Sequence, residues 1–171
     1  MGIYKMNIQQ LTHDNSIDLE FTVEKFDFNI YEISSSLNSI YGILRVAAVP
    51  YRIVKLKEEI ESQPRFVMQS YNIVNFVNKG KAGEPNNNPI DINKLKETEK
   101  IELNQDEDYT ILSEPMNIYY IIGSDQNYKI RAKSTLTKVE VISSKFDYYG
   151  NPIFMVNVNT GISYSYAAQK R

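Results

Sequence analysis

The sequence predicts a mainly β protein of the β-rich α+β class, an antiparallel sandwich or partly open barrel with one helix near residues 35–48. Side chains that suit a pleated, half-buried surface are abundant, with 13 Tyr and 7 Phe among 171 residues. Apolar and polar residues alternate with the period of two that a strand requires. Gly, Pro and Asn separate these alternating runs, as they do in turns between strands.

The first strand pattern contains a slip of one residue. Apolar side chains occupy odd positions through residues 17–23 and even positions through residues 26–30. A slip of this kind within a strand predicts a β-bulge or a tight turn, here at Glu24–Lys25.

Residues 34–49 change to a helical period. Three serines at 34–36 are suitable N-caps, and Pro50 would end the helix. The apolar residues between them follow the spacing i, i+3, i+4, i+7: Leu37, Ile40, Tyr41, Leu44, Ala47 and Ala48. Beyond the proline, a helical turn over residues 54–61 competes with a strand through Tyr51–Lys57.

The middle of the chain combines a strand with a polar segment. Residues 65–77 are apolar on both parities, which predicts a central strand buried on both faces. Residues 79–108 are polar and acidic, and they form a loop-rich insertion with a short helix near 92–97 and a short strand at 100–103. The whole chain, 1–171, is predicted to be a single domain.

The last third reads as a meander of short strands. Its predicted strands are 109–113, 117–122, 128–134, 137–145, 153–157 and 162–167. Turn residues at 149–152 and 159–161 indicate hairpins, and we identify no internal repeat.

The C-terminal run also resembles a known fold. Its segments TKVEVISSKF, DYYGN, PIFMVNVNTG and ISYSYAA follow the order strand, turn, strand, turn, strand. That order resembles the opening hairpins of an OB-fold. The resemblance implies a domain that binds single-stranded nucleic acid.

The charges are sorted into blocks that the formal net charge of −2 conceals. Residues 41–81 carry 7 basic and 3 acidic side chains, and residues 128–145 carry 5 and 1. Residues 1–40 carry 2 and 6, and residues 82–127 carry 3 and 10. The basic blocks also hold many aromatic residues, a combination that suits a ligand made of phosphates and bases.

The foremost candidate site is the run Lys129, Arg131 and Lys133. On a strand these side chains share one face, about 6.6–6.8 Å apart, so that neighbours reach successive phosphates. The alternative is a solvated edge strand that its lysines protect from aggregation.

A second candidate site combines cations with aromatic rings near residues 65–81. In such a site the rings stack bases while the charges hold the backbone. The residues that we expect to bind are Arg65, Tyr71, Lys79 and Lys81.

Several classes of function are disfavoured by composition. The chain has no Cys, which removes disulfides, thiolate catalysis and Cys-based zinc sites. Its single histidine, His13, lies in a polar, turn-like string, and no phosphate-binding glycine loop is present. We therefore predict that the protein is not an enzyme and holds no cofactor or metal.

The N-terminal sequence MGIYKMNIQQ lacks the apolar region of a secretory signal, and no apolar run approaches the ~18 residues of a membrane span. These features predict a cytoplasmic protein, or one within an intracellularly assembled particle, that does not bind membranes.

Two functions remain in view. The first is a nucleic-acid-binding accessory protein that prefers single strands, although its net negative charge is unusual for such a protein. The alternative is a non-enzymatic structural or assembly protein, such as a virion or phage-type component. It would form a homo-oligomer or a larger assembly through complementary charge blocks.

Overall fold

The structure, a computed structural model, describes residues 15–80, 99–122 and 126–168, without the side chains of 143–145. These residues form β-strands and no helix. The strands are β1 (Ser16–Lys25), β2 (Asn29–Ser35), β3 (Ile40–Leu56), β4 (Phe66–Asn78), β5 (Lys100–Leu103), β6 (Tyr109–Ser113), β7 (Met116–Ile122), β8 (Tyr128–Phe146) and β9 (Pro152–Tyr166).

The strands form one open antiparallel sheet. Its order is β5-β8-β7-β1-β3-β2-β6, with β4 paired to β3 and β9 paired to β8. Strand β1 pairs with β3 through Ser16–Leu19 and with β7 from Glu20 to Lys25, so it links the two parts of the sheet. The register shifts between Val23 and Lys25, which confirms the predicted slip as a β-bulge.

The predicted helix near 35–48 is wrong, because most of this segment belongs to β3. Ile40, Leu44 and Ala48 are buried, and their spacing of four keeps one face of a strand as well as one face of a helix. Leu37 is 90% exposed. Of the two alternatives for the following residues, the strand through Tyr51–Lys57 agrees with the structure.

Gly42 shows why this segment packs as a strand. A Cβ atom at Gly42 would lie 2.2 Å from the carbonyl oxygen of Val77 and 2.5 Å from the ring of Phe76. The glycine therefore admits the close approach of β4 and its phenylalanine ring.

Strand β4 is an edge strand, not the predicted central one. Among the described residues it pairs with β3 alone, and residues 71–75 are exposed whichever face they occupy. Apolar residues at both odd and even positions of β4 therefore do not indicate burial on both faces, because the strand lies at the edge of the sheet.

The C-terminal strands are fewer and longer than predicted. The break at Leu136 is a β-bulge within β8, and β9 continues through the predicted turn at Asn159–Gly161. The turn before β9 is present: Gly150 has a φ of 81°, and the Asp147 carboxylate accepts hydrogen bonds from the backbone of Tyr149 and Asn151. Because the third strand of the OB-like pattern is absent from this run, the resemblance does not extend to the structure.

The inner face of the sheet carries two buried clusters, and we call the opposite side the outer face. The sheet folds over itself, so that Phe76 of β4 contacts Phe154 of β9 with ring centroids 4.6 Å apart. The first cluster comprises Tyr31, Ile33, Ile40, Leu44, Val46, Leu103, Tyr109, Val139 and Val141. The second comprises Leu19, Ile53, Tyr119, Ile121, Tyr128, Ile130 and Ala132.

The pairing pattern reveals an internal repeat that we did not identify in the sequence. Strands β2, β3 and β4 pair with one another as β7, β8 and β9 do. The first half of β1 pairs with β3, and β5 pairs with β8 in the same way. The second half of β1 pairs with β7, and β6 pairs with β2 in the same way.

The bulges fall at equivalent positions of the repeat. The ladder of β3 shifts between Pro50 and Arg52, and that of β8 shifts between Leu136 and Lys138. A short motif is also shared, since Asn-Ile-Tyr-x-Ile occurs at 29–33 and again at 117–121.

Candidate functional site

Lys129, Arg131 and Lys133 lie together on the outer face of β8. Tyr128, Ile130 and other residues of opposite parity are buried in the second cluster. The alternation of the strand therefore directs the three cations away from the core. We call this outer surface the cationic face.

Small polar residues flank the cationic face on β9. Ser165, Ser163 and Gly161 lie directly opposite Lys129, Arg131 and Lys133 in the ladder. A Cβ atom at Gly161 would find no other atom within 4 Å. The three cations therefore border a surface of low relief.

Strand order adds a fourth cation that sequence reasoning missed. Lys25 of β1 pairs with Ile118 of β7, and Ile118 pairs with Arg131. Two strand spacings separate Lys25 from Arg131, about 10 Å between their backbones. No sequence signal identifies Lys25, because its place depends on β1 lying beside β7.

One end of the cationic face forms a cleft of about 370 Å³. The Lys129 Nζ lies 3.3 Å from the Glu24 carboxylate. An Arg131 N–H donates to Ser165 Oγ at 2.9 Å. Tyr166, which is 59% exposed, also borders this cleft, but its ring packs against Tyr128 and Tyr164 on the inner side of the sheet.

Arg131 and Lys133 retain charge that the described residues do not neutralise. Within 15–80, 99–122 and 126–168, neither side chain forms an ion pair. The Ser165 hydroxyl is a neutral partner, so the full positive charge of Arg131 remains.

The second candidate site is not assembled by the fold. Arg65 precedes β4, and Lys79 follows it 14 residues later, about 45 Å away along a straight strand. Tyr71 lies between them on the outer face, stacked on Tyr51 with centroids 6.2 Å apart. Lys81, like His13, lies outside the described residues.

Arg65 is not brought to the cationic face. It lines a cavity of about 270 Å³ together with Ile130 and Tyr164, which belong to the second cluster or pack against it on the inner side. Lys79 belongs elsewhere, because its backbone N–H donates to the Tyr41 carbonyl oxygen at the far end of the hairpin.

The buried tyrosines have shifted pKa values but face the core. The Tyr31 hydroxyl donates to a Glu114 carboxylate oxygen at 2.8 Å and accepts from Asn29 Nδ2 at 3.0 Å. Burial, and then the bond to Glu114, raise the pKa of Tyr31. Burial raises the pKa of Tyr119 to about 12, and its hydroxyl lacks a hydrogen-bond partner among the described residues.

Other classes of site receive no support from the described part of the chain. No three His, Asp or Glu side chains there lie close enough to hold a metal ion. No helix there has the length and apolar content to cross a membrane.

No protein-family model, curated protein or solved structure matches this chain. A proposal for its function therefore rests on the geometry of the cationic face.

Proposed function

We propose that this protein is a non-enzymatic accessory protein that binds single-stranded nucleic acid through its cationic face. The observation that carries the proposal is the row of Lys129, Arg131 and Lys133 on one outer face, with Arg131 and Lys133 outside any described ion pair. A solvated edge strand does not account for this row, because β8 is paired on both sides by β7 and β9.

The spacing of the row suits a polyphosphate backbone. Alternate residues of a strand lie about 6.6–6.8 Å apart, so neighbouring cations reach successive phosphates. The serine hydroxyls of β9 supply further donors, since hydroxyl groups commonly bind phosphate oxygens. Lys25 widens the positive surface toward β1.

The free edge of β9 supports a preference for single strands. Tyr166 is 59% exposed there, with its ring beside Tyr128 on the inner side of the sheet. An unpaired base that folds around this edge can stack on the ring while the cations of the outer face hold its phosphate. A duplex keeps its base faces stacked inside the helix, which leaves the tyrosine no partner.

Glu24 moderates this binding. Its carboxylate competes with phosphate for Lys129, and the net charge of −2 weakens long-range attraction. We therefore expect an affinity that depends strongly on salt.

Fluorescence anisotropy of a labelled single-stranded oligonucleotide, titrated at several salt concentrations, tests the proposal. The double variant Arg131→Gln/Lys133→Gln should weaken binding at least tenfold. It should also reduce the log–log salt slope by about 1.4, since each phosphate contact on a single strand contributes about 0.7.

The matched control is Arg45→Gln/Lys79→Gln, which removes the same charge from the β3–β4 hairpin. It should change affinity less than threefold. Equal losses in the two double variants would show that binding follows net charge alone. Absence of binding at ~50 mM salt, where electrostatic attraction is strong, would overturn the proposal.

A second candidate function is the assembly protein, such as a virion or phage-type component. Acidic residues 82–127, which complementary charge blocks would require, lie partly outside the described residues. The observation that favours assembly is instead an exposed apolar surface on the β3–β4 hairpin.

A further inference from the structure

Strand β4 lacks the features that normally prevent edge strands from pairing with other chains. Its 13 residues, FVMQSYNIVNFVN, include no charged residue, no proline and no glycine. Edge strands are usually protected by charges, prolines or bulges that turn the edge away. The free side of β4 pairs with no other strand of the described residues.

An exposed apolar surface adjoins this edge. We call it the apolar face, and it comprises outer-face residues of β3 and β4: Tyr41 (39% exposed), Tyr51 (57%), Tyr71 (52%), Ile73 (38%) and Val77 (53%). On the inner side of β4, Val74 is 38% exposed as well. The strand thus presents apolar side chains on both faces and backbone groups along its free side.

We infer that a second copy of this chain binds here, with β4 pairing antiparallel to β4 of the second copy about a two-fold axis. The sheet would then continue from one copy into the other, and the two apolar faces would join. This inference deepens the assembly candidate and is independent of nucleic-acid binding.

Charge identifies the occupant as a second copy. A two-fold interface brings each patch against itself, so the patch must tolerate its own charges. Arg45 is the one charged residue that the outer face of β3 carries between Tyr41 and Val49. Its guanidinium lies over the Phe28 ring, 4.6 Å from the centroid, on the side toward β2.

The equivalent edge, that of β9, is not expected to pair with the same edge of a second copy. It too is uncharged, but its outer face adjoins Lys129, Arg131 and Lys133. A two-fold contact there would bring three cations against three cations, which costs free energy. Self-association is therefore expected at β4 and not at β9.

The available area agrees with a stable dimer. Five half-exposed side chains, mostly aromatic, offer on the order of 400–500 Å² of apolar surface per copy. The free edge of a 13-residue strand adds its backbone groups. Together they approach the roughly 800 Å² per partner that specific complexes bury.

Light scattering after gel filtration tests the inference. The chain should elute with twice its mass of 19.8 kDa. Asn75→Lys, a change at an exposed polar position of β4, should raise the dissociation constant at least tenfold. Ile73→Lys should do the same, and circular dichroism should show that both variants remain folded.

The matched control is Asn159→Lys, which adds a lysine at an exposed position of β9 and should leave the dimer intact. The inference would be overturned if the unmodified chain is a monomer at about 100 μM, a concentration typical of such measurements. A dimer that withstands both β4 variants, or one that Asn159→Lys also dissociates, would overturn it as well.

Cross-linking locates the contact, because the chain has no cysteine of its own. Single cysteines introduced at residues 71, 73 and 75 should give a disulfide-linked dimer for at least one position, and Asn159→Cys should give none. Absence of any linked dimer would contradict pairing through β4. The variant Arg131→Gln/Lys133→Gln should still dimerise, so failure of nucleic-acid binding and failure of this inference can be told apart.

Discussion

The two long hairpins occupy equivalent positions of the repeat but present opposite chemistry on their outer faces. Where β8 carries Lys129 and Lys133, the equivalent positions of β3 hold Ile43 and Ala47, and only Arg131 has a cationic counterpart, Arg45. Where β9 carries serine, asparagine and glycine, β4 carries valine, tyrosine and isoleucine. One backbone arrangement therefore supports an apolar face in one half and a cationic face in the other.

This difference teaches that the outer faces can differ in polarity while the inner faces stay largely apolar, even where Gly42 stands in the place of Tyr128. Inner positions such as Leu44 and Ile130 remain large and apolar in both halves because each fills a core cluster. Outer positions such as Lys133 and Tyr71 are exposed, so core packing does not determine their chemistry. We therefore propose different partners for the two faces.

The largest effect is expected from adding a methyl group to a glycine of each hairpin. Gly42→Ala should destabilise the protein by about 3 kcal/mol, because the new Cβ would meet the Val77 carbonyl oxygen and the Phe76 ring. Gly161→Ala should be neutral or stabilise it by up to about 1 kcal/mol, since its surroundings are open. Urea unfolding measures both, and equal losses would contradict the packing described for β3 and β4.

Equivalent tyrosines of the repeat should respond oppositely to loss of the hydroxyl. Tyr31→Phe should cost about 2 kcal/mol, because it removes the donor to the Glu114 carboxylate and one of the two acceptors of Asn29 Nδ2. Tyr119→Phe should be neutral or stabilising, since it removes a buried hydroxyl that lacks a described partner. The comparison fails if Tyr119→Phe is the more damaging of the two in urea unfolding.

High pH tests the buried Tyr119 hydroxyl separately. The pKa of Tyr119 is about 12 in the folded protein and about 10 when unfolded. The unfolded chain therefore loses this proton first, and stability falls as the pH rises from 10 through 12. Tyr119→Phe should therefore gain about 2 kcal/mol relative to the unmodified chain between pH 9 and pH 12. Urea unfolding of both proteins across this pH range is the measurement. A difference in unfolding free energy that stays constant with pH would contradict the raised pKa of Tyr119.

The smallest effect concerns Glu24, an acidic residue that lines the cleft. Glu24→Gln should tighten oligonucleotide binding about twofold to fivefold, as expected when a modest ion pair releases Lys129. Glu32→Gln changes the net charge equally on β2, away from the cationic face, and should leave affinity nearly unchanged. Equal tightening by both variants in the anisotropy titration would assign the effect to net charge.

Much of the strand content could be predicted from the sequence. The β-bulge near Glu24, the short strands at 100–103 and 109–113 and the shared face of Lys129, Arg131 and Lys133 all follow from alternation, and the structure has them. Alternation is a local property, so it survives without knowledge of the fold.

The errors arose where local pattern was ambiguous. A spacing of four residues between Ile40 and Leu44 fits a helix and a strand equally, so the strand β3 was predicted as a helix. Strand β4 was placed at the centre because apolar residues on both parities suggest burial, yet its partners are set by distant segments. Asn159–Gly161 has turn composition but is held extended by pairing with β8.

The repeat was hidden for a different reason. Residues 17–19 and 101–103 correspond at a separation of 84, but residues 29–33 and 117–121 correspond at 88. The four extra residues before β6 break any constant period. The equivalence of the two halves is visible only in the register of the paired strands. Lys25 cannot be identified from the sequence for the same reason, because its position depends on strand pairing.

The crossing of β1 from β3 to β7 has a consequence for how the chain is made. The second half of β1 pairs with residues 118–122, about 100 positions later in the sequence. At a synthesis rate of about 5–20 residues per second, that half of the strand waits roughly 5–20 seconds for its partner. The second half of β1 pairs with β7, and β6 pairs with β2, so each half of the repeat contributes a strand to the other. Neither half can complete its strand pairing until both have been translated.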